Sequence, residues 1–152
     1  MILLLLLFFT ACSASVNANV GIYNYTGAAN DNILEIGEHL FAPRVFDIIY
    51  NPNRYAGKII RYEGMFEAFP ATGGGYHYLV FRYTDGCCRP NKIVGFELIV
   101  DELLDFDNNA WVEVVGVLEE YSNWGETFIV VRVISITEMP ERGAEFVPGF
   151  GF

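Results

Sequence analysis

Five consecutive stretches of this chain place apolar residues at every second position, and a period of two dictates strands rather than helices. In Lys58 to Phe66, Ile60, Tyr62, Gly64 and Phe66 share one face while Arg61 and Glu63 take the other. Gly73-Gly74-Gly75 interrupts the chain before Tyr76 to Tyr83, where Leu79 and Phe81 oppose Val80 and Arg82. Ile93 to Val100 directs Val94, Phe96, Leu98 and Val100 inward, and Trp111 to Tyr121 groups Val112, Val114, Gly116 and Leu118. Trp124-Gly125 reads as a hairpin turn into Thr127 to Thr137, a stretch rich in β-branched residues. Five antiparallel-type strands, the first broken by a glycine, suit an all-β, five-stranded OB-like barrel better than an open sheet with bare edges. A β-sandwich is the alternative. The helix that OB barrels carry between their third and fourth strands must fit into Asp101 to Asn109, where Glu102-Leu103-Leu104 allows a turn or two, so it is short or missing.

Upstream of the barrel, Ile33 to Phe41 alternates in part and is expected as an entry strand. Pro43 to Tyr50 reads as a short helix with Pro43 in its first turn. The expected organisation is a leader over 1–18, a flexible tether over 19–32, the barrel with its short strand and helix extension over 33–147, and a glycine-rich tail over 148–152. With 152 residues in all, one core is what the chain has room for. The leader is an apolar run from Ile2 to Phe9, far below the roughly 20 residues a spanning helix needs, and it reads as a signal-peptide core. Thr10 and Ala11 stand directly before Cys12 as in a bacterial lipobox, which makes Cys12 a candidate lipidation site and the domain an extracytoplasmic, membrane-anchored one. Phe9 departs from the usual leucine of that motif, and cleavage after Val16-Asn17-Ala18 is the alternative, giving a secreted protein.

Nineteen acidic residues against nine basic ones leave a formal charge of −10. That charge repels phosphate backbones, so nucleic acid is a poor partner, and it favours cations as well as solubility. No serine, histidine and acid arrangement, phosphate-binding glycine loop or paired zincin histidines can be traced, and the Gly73 to Gly75 run lacks the lysine of a P-loop. A binding role is expected rather than an enzymatic one. Tyr76, Tyr78, Phe81, Tyr83 and Trp111 are numerous enough for a stacking surface, yet in a small barrel aromatics chiefly fill the core.

The unusual motif is Tyr83-Thr84-Asp85-Gly86-Cys87-Cys88-Arg89-Pro90, a turn-rich loop with adjacent cysteines. Three readings stand side by side. The thiolates of Cys87 and Cys88 are soft zinc ligands and could draw His77, Asp85 or Glu97 from the flanking strands, although zinc sites normally space their cysteines two to four residues apart. Adjacent cysteines also close a strained, reducible disulfide. Alternatively both pack as small hydrophobes, as free cysteines often do. His77, between Tyr76 and Tyr78, reads as a half-exposed cross-strand partner, and His39 is given no role.

The run Tyr55 to Phe66, then Phe81-Arg82-Tyr83, Cys87-Cys88, Val94-Gly95-Phe96-Glu97 and Trp111 to Glu120, resembles the C-terminal domain of YcgQ-like permease subunits over about Leu34 to Val147. The resemblance implies an uncharacterised envelope domain, linked to a divalent metal through positions matching Cys87 and Cys88 and acting with a second membrane subunit. In that family the domain follows transmembrane helices, whereas here a lipoprotein-like leader precedes it.

Overall fold

The computed structural model describes residues 33–85, 92–123 and 125–149. Cys12, the leader, the tether, Cys87, Cys88 and Trp124 lie outside them. The elements in order are β1 (Ile33–Ile36), a 3₁₀ turn (Glu38–Leu40), α1 (Phe41–Tyr50), α2 (Pro52–Tyr55), β2 (Ile59–Pro70), β3 (Tyr76–Thr84), β4 (Lys92–Ile99), β5 (Trp111–Asn123), β6 (Glu126–Glu138) and β7 (Phe146–Val147). The five strands expected from period-two patterning are β2 to β6, and they close on one another. β2 pairs antiparallel with both β3 and β5, β3 with β4, and β5 with β6. The last seam is parallel and short, Leu98↔Val131 and Ile99↔Arg132 between β4 and β6. This closed order is that of an OB barrel.

The barrel forms because each strand has one apolar face. Ile60, Tyr62 and Phe66 of β2, Val80 of β3, Val94, Phe96 and Leu98 of β4, and Val112, Val114 and Leu118 of β5 all meet in one core. Rings set its geometry: Tyr62 packs edge-on to Phe96 at 5.6 Å and tilted against Phe41 at 6.2 Å. Opposite Val115/Gly116 the register skips Ile134 of β6, a bulge that bends β6 around the curve.

Two expectations are corrected at the N-terminus. The entry strand ends at Ile36 instead of continuing to Phe41, and the helix begins at Phe41, two residues before Pro43. Phe41, Ala42, Val45 and Ile48 are fully buried on one side of α1, a helical spacing that outweighs the partial alternation before it. Pro43 is still in the first turn, where an amide hydrogen would lack an intrahelical partner anyway. β1 runs parallel to the start of β2, Ile33↔Ile59 through Ile36↔Tyr62. Between β4 and β5 there is no helix: residues 100–110 are irregular, with Leu104 buried and its backbone N–H donating to the Tyr78 hydroxyl at 3.3 Å. No described helix is long and apolar enough to cross a membrane.

Candidate functional site

The described candidates for a metal site, His77, Glu97 and Asp85, fall at two places. His77 and Glu97 do meet: His77 opens β3, Glu97 is two positions off its direct partner in β4, and His77 Nδ1 donates to Glu97 Oε1 across 2.6 Å. Both side chains are exposed, as expected of a cross-strand pair. Asp85, also exposed, follows the far end of β3, and eight residues of strand from His77 span roughly 26 Å. Asp85 therefore cannot share an ion with His77 and Glu97. Cys87 and Cys88 lie outside the described residues. Among the described residues, no group of three or more His, Cys, Asp and Glu could hold a metal ion.

The His77–Glu97 pair borders a groove of about 710 Å³. One wall is the start of β3 with Tyr76 and Tyr78, and the floor is the end of β4 with Leu98, Ile99 and Val100. The other wall is the β5–β6 hairpin with Tyr121, Phe128 and Val130, and Asp101, Glu102 and Leu103 close one end. Local geometry opens this space. Gly73, Gly74 and Gly75 all take positive φ (112°, 104° and 82°), which lets the β2–β3 connection turn tightly, and Gly75 lines the groove. β4 and β6 meet at only two register positions, so the hairpin, paired as far as Asn123↔Glu126, projects beyond the seam. Tyr121 and Phe128 are direct cross-strand partners on it.

The chemistry of the groove combines apolar faces with negative charge. Tyr76, Tyr121, Phe128 and Leu103 are 54%, 50%, 48% and 75% exposed, an unusual cluster for an outer surface. Glu97, Asp101 and Glu102 supply carboxylates, and among the described residues neither lysine nor arginine lines the groove. Arg132, just beyond, is engaged by Glu119 at 2.8 Å and lies 3.9 Å from Asp101. The hydrogen bond to Glu119 holds its guanidinium above its usual range, despite partial desolvation. Sequence reasoning missed Tyr121, Phe128 and Leu103. The available signal was the pair of aromatics flanking the expected turn at Trp124-Gly125.

The aromatic set proposed for stacking divides instead of forming one surface. Tyr78 is buried in the core, while Phe81 and Trp111 are buried with Met65 in a second cluster on the barrel exterior. Tyr76 stacks on Tyr78 at 6.2 Å, and Tyr83 stacks on Phe146 at 5.3 Å. Of the five, Tyr78 alone fills the barrel core, while Phe81 and Trp111 are buried outside it.

A second polar cluster is structural. Arg82 is buried; its Nε donates to the Glu63 carbonyl at 2.9 Å and its Nη1 to the Ala144 carbonyl at 3.1 Å. Its guanidinium lies 4.8 Å from both the Phe41 and the Trp111 rings and 3.5 Å from Glu38 Oε2. The Ala144 amide, 3.0 Å away, holds the Glu38 carboxyl below its ordinary value, with Arg82 adding to the effect and desolvation opposing it. These groups satisfy one another and tie both ends of the domain to the barrel.

Comparison with known proteins gives a family and little more. A model described as the DUF1980 C-terminal domain matches residues 20–147. No curated protein matches the chain. Among solved structures it is similar to the dimeric N-terminal domain of PriB protein from Thermoanaerobacter tencongensis. That match has a TM-score of 0.34 and 13% identity, covering 55% of this chain and 97% of the other.

Proposed function

The chain belongs to the DUF1980 C-terminal domain family, and from that premise we propose that its barrel is a binding module rather than an enzyme, with the groove between β3–β4 and the β5–β6 hairpin as its site. The observation that carries this reading is the convergence of three solvent-facing rings, Tyr76, Tyr121 and Phe128, with the His77–Glu97 pair around one 710 Å³ concavity. OB barrels as a class take up ligands over this face, between the loops that follow their first and fourth strands. Fold analogy alone does not assign a function, and the weight of the argument rests on the exposed rings. The test is an NMR titration of the isotope-labelled chain with benzyltrimethylammonium, benzoate and a neutral disaccharide. At least one probe is expected to shift amides of His77, Glu97, Phe128 and Val130, and the shifts should vanish in a Tyr76→Ser/Phe128→Ser variant. No shifts, or shifts elsewhere, would remove the groove from consideration.

A second reading concerns the other end of the β3–β4 hairpin. Asp85 is exposed there, immediately before the Cys87-Cys88 loop, and this favours a soft divalent ion, zinc first, held by Asp85, Cys87 and Cys88 without His77 or Glu97. In that reading Cys12 carries the lipid anchor, the domain works outside the cytoplasm beside a membrane permease subunit, and the thiols present zinc to it. Metal analysis of the reduced chain should find near-stoichiometric zinc that is lost in Cys87→Ser/Cys88→Ser. A metal-free wild type would leave the loop as a structural element with packed or disulfide-linked cysteines.

A further inference from the structure

Resting on the groove as a binding site, we infer that its occupant is an extended peptide segment bearing lysine or arginine, added as a strand along the free edge of β6. The backbone points to this first. Glu126 to Val130 are paired with β5 on one side, and the described contacts with β4 begin only at Val131. Among the described residues, the first five of β6 therefore present an unpaired edge beside the groove that Phe128, Ile129 and Val130 line. Unpaired amides and carbonyls next to apolar side chains invite strand addition, and proteins that avoid it cover or charge such edges. Here the edge carries one acidic residue, Glu126, and no lysine or proline.

Charge then selects the class of peptide. Glu97, Asp101 and Glu102 line the groove with no lysine or arginine beside them among the described residues, and His77 already donates to Glu97. A lysine or arginine side chain entering there meets carboxylates on one side and the faces of Tyr121 or Phe128 on the other, the two kinds of group that hold a desolvated cation. Strand geometry fits as well, because alternate side chains of an added strand point to one face, so apolar residues can contact Phe128 and Val130 while basic ones contact the acidic end. The chain's own N-terminal segment does not fit: residues 1–32 contain no lysine or arginine. A second copy, with a formal charge of −10, is repelled.

The experiment measures binding of labelled, end-blocked peptides to the full chain by fluorescence anisotropy. One peptide alternates lysine with threonine, and its counterpart alternates glutamate with threonine. The lysine peptide is expected to bind, more weakly as salt rises, and the glutamate peptide to fail. Glu97→Gln/Asp101→Asn/Glu102→Gln should weaken binding by about tenfold or more. A charge-matched variant away from the groove, Asp107→Asn/Glu138→Gln/Glu141→Gln, should weaken it by less than about threefold. Equal loss in the two triple variants would reduce the interaction to net charge and overturn the inference, as would equal binding of both peptides. If any of the three small probes shifts groove amides while the lysine peptide does not bind, the groove stands and the peptide falls; if neither the probes nor the peptide act there, both fall.

Discussion

Replacing Arg82 with alanine should lower the stability of the domain by about 3 kcal/mol, because it empties a buried position and strands the groups built around it. The Glu63 and Ala144 carbonyls lose their donors, Glu38 loses its cation, and the Phe41 and Trp111 rings lose the plane packed between them. Those partners come from the N-terminal turn, the barrel and the segment before β7, so the loss loosens both ends of the chain at once. In a domain of this size the melting temperature should fall by about 10 °C. Arg82→Lys should recover only part of it, since an ammonium keeps the charge but cannot serve two carbonyls and stack flat between two rings. Thermal unfolding of the full-length variants checks both points, and an Arg82→Ala protein as stable as wild type would contradict the structural role.

Gly95→Ala should be at least as damaging, for a steric reason. A Cβ at Gly95 would stand 2.2 Å from the Val80 carbonyl oxygen, 2.6 Å from Phe81 Cα and 2.7 Å from Phe81 Cβ. The obstacles are mainly backbone, so β3 and β4 would have to separate where Phe81 pairs with Gly95. A Cβ added at Gly64 on β2 would likewise stand 2.7 Å from Phe81 O, so β2 too lies close against this strand. Overpacking of this kind costs about 3 kcal/mol when the neighbours are side chains, and here the main chain has no rotamer to change. Gly37→Ala is the matched control: nothing lies within 4 Å of its added Cβ and its φ of −75° is ordinary for alanine. Denaturant unfolding should separate the two by several kcal/mol, and similar midpoints would show that β3 and β4 adjust more freely than this packing implies.

Most of the barrel is legible in the sequence because each of its strands buries one face against a single core. Ile60, Tyr62 and Phe66, or Val94, Phe96 and Leu98, declare themselves by alternation alone. The same parity places Arg82 with Val80, on the inward side, so a buried arginine was present in the pattern without being drawn from it. The start of α1 was harder, since Phe41, Val45 and Ile48 follow a helical period inside a stretch that also alternates. The groove was not legible. It exists because β4 and β6, more than 30 residues apart, touch at Leu98↔Val131 and Ile99↔Arg132 and then diverge, and no local pattern encodes that divergence. For the same reason the sequence did not show that the length of β3 separates the His77–Glu97 pair from Asp85.

The most direct test of the binding-site account is backbone amide hydrogen exchange in β6, measured residue by residue in the full chain with and without the lysine–threonine peptide. The account predicts slower exchange at those amides of Glu126 to Val130 that β5 leaves unpaired, together with Glu97 and Tyr121, and no change in α1. Unchanged exchange along that edge in the presence of bound peptide, or protection confined to another face of the barrel, would contradict it.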